Sequence, residues 1–140
     1  MDFDDEMDAI QEMLLDEARK TFSETVIEHF MRPQNVGEVE EAHGRARFKG
    51  PCGDTMIFSL RLDGDRIEEI KFITDGCGPT IACGSVLTEM VRGKTVEEAE
   101  KLTDQELLTR LGGLPDSHRH CATLAITTLR MALIDSNYES

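Results

Sequence analysis

Four cysteines, Cys52, Cys77, Cys83 and Cys121, are spread along the chain with 24, 5 and 37 residues between neighbours. No two form Cys-x-x-Cys, so the spacing matches neither a zinc ribbon nor a thioredoxin-type redox pair. Their surroundings say more. Cys52 lies in Gly50-Pro51-Cys52-Gly53-Asp54, Cys77 in Asp75-Gly76-Cys77-Gly78-Pro79, and Cys121 follows His120 directly. Thiolate, carboxylate and imidazole are the donors that hold zinc or iron, and flanking glycines let the backbone approach a bulky inorganic centre. Asp54 stands two residues from Cys52, so in an extended segment both side chains share one face. The competing reading is that free cysteine is among the most buried residue types, and scattered thiols can serve packing alone.

The elements that must gather these residues show in the periodicity. From Arg45 to Thr74 the apolar period is two: Met56, Phe58 and Leu60 alternate with Ile57, Ser59 and Arg61, Asp63-Gly64-Asp65 makes a turn, and Ile67, Ile70, Phe72 and Thr74 follow. This predicts an antiparallel hairpin with a third strand near 45–49. After Gly78-Pro79 the pattern is helical, with helices expected over 81–92, 95–101, 103–111 and 120–137 and with Thr95 and Thr103 as N-caps. Upstream, Ser23 caps a helix that Pro33 ends. Before it, Phe3, Met7, Ile10, Leu14 and Ala18 form one apolar stripe of an acidic helix. Helices, sheet, then helices, with no strand-helix-strand alternation, predict an α+β fold: a small three-stranded antiparallel sheet packed against about five or six helices. Cys52 then falls at the entry to a strand, Cys77 just past the next, and Cys121 at the start of the last helix, placing a metal site at one end of the sheet. At a helix N-terminus the positive end of the dipole favours thiolate at Cys121. Successive helical residues diverge by about 100°, so His120 and Cys121 are expected to share a metal only if the helix has not yet begun there.

Composition bounds the function. The chain has 140 residues, 15 Lys plus Arg against 28 Asp plus Glu, and a formal net charge of -13. So acidic a protein lacks the cationic surface by which proteins bind nucleic acid or anionic lipid. Residues 1–41 carry 13 acidic and 3 basic side chains, whereas residues 42–140 carry 15 and 12, so the excess belongs to the N-terminal third. The longest apolar stretch, 121–134, is interrupted by threonines and Arg130 and is shorter than the ~20 residues that span a bilayer. Residues Met1 to Glu6 lack the basic start and apolar run of a secretory signal, so a reducing cytoplasm with free or metal-bound thiols is expected.

Several stretches together resemble the iron-sulfur cluster assembly scaffold family, the IscU and NifU N-terminal domain type. They are 22–30 (Phe-Ser-Glu-Thr-Val-Ile-Glu-His-Phe), Arg32-Pro33-Gln34-Asn35-Val36-Gly37, Cys52-Gly53-Asp54, Gly76-Cys77-Gly78, 87–94 (Leu-Thr-Glu-Met-Val-Arg-Gly-Lys) and His120-Cys121, in order from Phe22 to about Tyr138. The resemblance implies a scaffold and carrier rather than an enzyme. A cysteine desulfurase supplies persulfide sulfur, Fe2+ is bound, a labile [2Fe-2S] cluster is built, and acceptor apoproteins receive it. By position it implies Cys52, Cys77 and Cys121 as cluster thiolates, Asp54 as the ligand that keeps the cluster labile and His120 as a ligand in some states, with Cys121 the candidate persulfide acceptor. Zn2+ fits the cluster-free form, since three thiolates with one Asp or His make a four-ligand set. A zinc-binding structural or interaction module is the alternative function. Monomer and homodimer both remain open.

Three departures from the family pattern stand out. Cys83 falls where the family more often carries a small residue such as serine; a packed, unligated thiol is the favoured reading, an auxiliary ligand or sulfur acceptor the alternative. The family's chaperone-binding Leu-Pro-Pro-Val-Lys is replaced by Leu114-Pro115-Asp116-Ser117-His118, which weakens the case for a Hsp70-type chaperone partner. Residues 1–20 form an acidic amphipathic extension ahead of a single scaffold domain, 21–140, expected to pack on its own body or fray in solvent more than to dock a partner. Of the other histidines, His118 reads as an exposed loop residue that could compete as a ligand, His29 as structural, and His43 carries no signal.

Overall fold

The computed structural model describes the backbone of residues 3–136 and the side chains of residues 9–136. The side chains of Phe3 and Met7 in the expected stripe, and the expected helix end at Asn137, lie outside the described residues. The order is α1 (Phe3–Thr21), α2 (Glu24–Met31), β1 (Gly44–Lys49), β2 (Thr55–Asp63), β3 (Arg66–Thr74), α3 (Gly78–Val91), α4 (Val96–Glu100), α5 (Asp104–Leu111), a 3-10 turn (Asp116–His118) and α6 (His120–Asp135). This is the expected α+β arrangement. The strands form one antiparallel sheet in the order β1-β2-β3, with Ala46 opposite Phe58 and Phe58 opposite Phe72.

Strand alternation sets the core. Met56, Phe58 and Leu60 of β2 and Ile70 and Phe72 of β3 are at most 1% exposed and point to one face. There α3 and α6 cover them with Leu87, Val91, Ile126, Leu129 and Leu133. Burying a side chain of this size stabilises the fold by about 1.5–3 kcal/mol. Close approach of α3 to β3 depends on Gly84, where an added Cβ would stand 2.5 Å from the Phe72 ring. The outer face is not uniformly wet. Ser59, on that side, is 2% exposed because the segment after α2 crosses it and Val39 N–H donates to its hydroxyl at 2.8 Å.

Helix starts follow the capping rule where a side-chain oxygen is available. Ser23 accepts from Val26 N–H, Thr103 accepts from Glu106 N–H, and Thr95 with Glu98 closes a full capping box. The third helix departs from expectation by beginning at Gly78 rather than 81. Pro79 sits in its first turn, where a missing N–H costs nothing, and Cys77 occupies the N-cap without a side-chain capping bond. The expected stripe of α1 is not buried: Ile10 and Leu14 are 51% and 66% exposed. Among the described residues, no helix is long and apolar enough to cross a membrane.

Candidate metal centre

Lys49 pairs with Thr55, and Met56 with Thr74, so the β1–β2 loop and the β3–α3 junction leave the sheet at the same end. The loop is a tight closure: Gly50 N–H donates to the Asp54 carbonyl at 2.9 Å, and Gly53 N–H to the Gly50 carbonyl at 3.0 Å. Gly53 has φ +95°, a conformation open to glycine and strained for other residues. This turn sets Cys52 beside Asp54. The expected extended segment begins only at Thr55, so a shared strand face is not what pairs them. At the junction, Asp75 accepts from Thr55 N–H at 2.7 Å and Thr74 from Gly76 N–H at 3.1 Å, which fixes the approach to Cys77.

The ligand atoms of Cys52, Asp54 and His120 all lie within 4.8 Å of one another. Cys52 and His120 are exposed and Asp54 is half-buried. Cys121, wholly buried, places its Sγ 3.8 Å from His120 Nε2. The two ligand atoms stand this close although His120 is already the first residue of α6. Cys77 is exposed, and its Sγ lies 3.9 Å from the hydroxyl of Thr80. That hydroxyl donates toward Asp54 Oδ2 at 3.1 Å and toward Cys121 Sγ at 3.3 Å. Thr80 thus joins three of the five expected ligands, and sequence reasoning did not single it out. Its only signal was a hydroxyl three residues after Cys77 in an otherwise apolar helix start.

Cys83 lies in the core, close enough to the centre for its sulfurs to act on it. It is 0% exposed among the core side chains, and burial pushes its thiol well above the usual range, with the Cys121 and Cys77 sulfurs adding to the rise. Burial also raises Cys121, against the lowering effect of the bond from Thr80 and reinforced by Cys77, Asp54 and Cys52. This rise runs against the thiolate character expected at a helix N-terminus, and a metal that binds Cys121 displaces its proton. His118 is half-buried rather than exposed, with its ring 5.5 Å from Phe22. His29 Nδ1 pairs with the Ser85 hydroxyl at 2.7 Å, and His43 accepts from Leu62 N–H at 2.8 Å.

A small antiparallel sheet layered on helices, with thiol, carboxylate and imidazole groups converging at one end, defines an α+β protein with a candidate metal centre. The chain belongs to the NifU-like N-terminal domain family, which it matches over residues 21–140. Among curated proteins it is 45% identical over 115 residues to two Archaeoglobus fulgidus proteins named iron-sulfur cluster assembly scaffold protein IscU, covering 81% of this chain and 75% of theirs. An Aquifex aeolicus protein of the same name is 43% identical over 117 residues, covering 81% and 74%. Among solved structures, one from Fervidobacterium islandicum, described as a candidate iron-sulfur cluster assembly scaffold for the SUF system, aligns with TM-score 0.65 and 25% identity over 80% of this chain and 96% of that one. A NifU-like N-terminal structure from Brucella abortus, at TM-score 0.67 and 17% identity over 84% and 95%, shares the fold.

Proposed function

We propose that this chain is a scaffold on which an iron-sulfur cluster is built and from which it passes to acceptor apoproteins. The observation that carries the reading is the convergence of Cys52, Asp54 and His120 within 4.8 Å, with the buried Cys121 sulfur 3.8 Å from the His120 Nε2. A storage or electron-transfer site favours four thiolates in a closed pocket; three thiolates with an exchangeable oxygen or nitrogen donor, two of the thiolates exposed, suit release. In this reading Cys52, Cys77 and Cys121 are the thiolate ligands, Asp54 is the ligand that yields, and His120 substitutes for it. The relatives named as scaffolds support the scaffold role.

Sulfur arrives as the persulfide of a cysteine desulfurase. Cys121, once deprotonated, attacks the outer sulfur; the donor's S–S bond breaks, the donor cysteine leaves as thiolate, and Cys121 carries the persulfide. Reduction of that sulfur to sulfide draws electrons from Fe2+ and an added reductant. Because Cys121 is buried and exposed His120 lies against it, the histidine moves aside first in this proposal. A [2Fe-2S] product and a cytoplasmic setting belong to this proposal.

Anaerobic incubation with Fe2+, cysteine, a reductant and a cysteine desulfurase tests it. Visible sulfur-to-iron charge-transfer bands should appear, and Cys52→Ala, Cys77→Ala and Cys121→Ala should each lose most of them. Full loading in all three variants would sink the reading. The mixed sulfur, oxygen and nitrogen donor set also suits Zn2+. If zinc served structure instead, chelation would unfold the protein; helical signal that survives chelation argues against that second reading.

A further inference from the structure

Thr80 is 0% exposed, yet its hydroxyl faces the metal centre rather than the core. Threonines in helices often turn the hydroxyl back to a carbonyl one turn earlier. Here the hydroxyl donates toward Asp54 Oδ2 at 3.1 Å and Cys121 Sγ at 3.3 Å, with the Cys77 sulfur 3.9 Å from the same oxygen. The chain makes room for this placement at Gly76, where a Cβ would stand 2.7 Å from Thr80 Cβ and Cγ2 and 2.8 Å from Oγ1. A hydroxyl has one proton to give and lone pairs to accept with. At any instant, then, either Asp54 or Cys121 receives the full hydrogen bond, and the Cys77 thiol can donate to the oxygen. Burial denies Cys121 a ready replacement from water when it loses, whereas half-buried Asp54 stays within reach of solvent.

We propose that Thr80 is a positioning residue of this centre, delivering its single hydroxyl proton to Asp54 or to Cys121 and so governing how readily the carboxylate gives up a metal. The inference rests on the metal-binding reading above. A carboxylate that accepts a hydrogen bond is a poorer metal donor, and a thiolate that accepts one has its sulfur lone pairs stabilised; both are outer-shell tuning of a ligand. With the proton on the Asp54 side, the oxygen ligand is held ready to leave. With it on the Cys121 side, Asp54 is free to bind and the sulfur is the softened partner. The hydroxyl stays neutral throughout.

Co2+ alone, added to the full chain, is the probe. Its sulfur-to-metal charge-transfer band reports on the thiolates, and its release to excess chelator reports on the labile ligand. Thr80→Val keeps the side-chain shape and removes the proton. Its band should move to lower energy, and its metal should leave about tenfold more slowly, the scale of one hydrogen bond to a charged group. Thr80→Ser should restore both. In an Asp54→Ala background, Thr80→Val should still shift the band but no longer alter release. Wild-type band and release rate in Thr80→Val would overturn the proposal, as would a Thr80→Ser protein that behaves like Thr80→Val. Far-UV circular dichroism checks each variant, and Thr80→Ala carries the same comparison if valine is not accommodated. Failure of the wild-type chain to take up Co2+ would overturn the metal-binding reading itself, whereas unchanged behaviour of Co2+-loaded Thr80→Val overturns only the role of Thr80.

Discussion

Gly76 lies against Thr80 so closely that no side chain fits between them: an added Cβ would stand 2.7 Å from Thr80 Cβ and Cγ2. The glycine before Cys77 therefore serves the residue three positions after Cys77. Gly76→Ala should push the β3–α3 junction off the first turn of α3 and cost about 1–3 kcal/mol, the usual range for overpacking. Urea denaturation measures the loss, and Co2+ titration should show weaker binding as Cys77 is displaced. An alanine variant with wild-type stability and affinity would mean that the junction has slack the structure does not show.

The buried thiol of Cys83 gives a pH dependence with a definite sign. Its folded pKa is raised, chiefly by burial, so the folded state holds the proton more tightly than the unfolded chain. Its stabilising contribution is complete below the unfolded thiol value of about 8.5 and is lost as pH rises through the folded value. Chemical denaturation from pH 7.5 to 10 (approximate working limits set by that thiol value) should show stability falling in wild type and a shallower fall in Cys83→Ala. Alkylation mapped by mass spectrometry should mark exposed Cys52 and Cys77 first and Cys83 only on unfolding. Early labelling of Cys83 would contradict its burial.

How much of this was legible in the sequence depends on whether a residue's partners lie nearby along the chain. Met56, Phe58 and Leu60 announce an inward strand face by alternation, and all three are 0% exposed. Ser23, Thr95 and Thr103 announce helix starts because a capping oxygen acts within three residues. The start of α3 was obscured because Cys77 caps without an oxygen and Gly78-Pro79 reads as loop, although proline suits a first helical turn. Thr80 was hidden for a different reason. Its acceptors Asp54 and Cys121 are 26 and 41 residues away, and no local pattern encodes a hydrogen bond at that range. The upward push of burial on Cys121 was hidden because the sequence shows a helix end but not how deeply it is buried.

Residues 1–20 should be dispensable for the fold and the centre. Ile10, Met13 and Leu14 are 51%, 69% and 66% exposed, so the middle of α1 buries little apolar surface. Among the described residues its ion pairs are exposed: Arg19 with Asp16 and Lys20 with Glu17 lie within the helix, and the one that reaches α2, Arg19 with Glu24 at 3.5 Å, is worth little in open solvent. A chain starting at Thr21 should unfold within about 1 kcal/mol of the full one and form the same charge-transfer bands, because exposed surface contributes little. Loss of cluster formation with stability intact would instead assign α1 to a step of assembly.

His120 lies against Cys121, its Nε2 3.8 Å from the sulfur, and the pair defines the last prediction. Persulfide transfer needs a sulfur that is both deprotonated and reachable, whereas Cys121 is buried and its pKa is raised chiefly by that burial. The exposed imidazole beside it is the neighbour with freedom to move, since the backbone at both residues is already helical. His120→Ala should therefore admit solvent, relieve part of the desolvation and speed alkylation of Cys121 about tenfold in metal-free protein, the scale of one pKa unit. Cys77 labelling should stay unchanged. Persulfide uptake from a desulfurase, followed by mass spectrometry, separates access from metal chemistry: the variant should accept sulfur at Cys121 at least as fast as wild type while binding Co2+ more weakly. If uptake falls instead, the imidazole activates the thiol more than it shields it, and Cys121 reacts with His120 in place rather than moved aside.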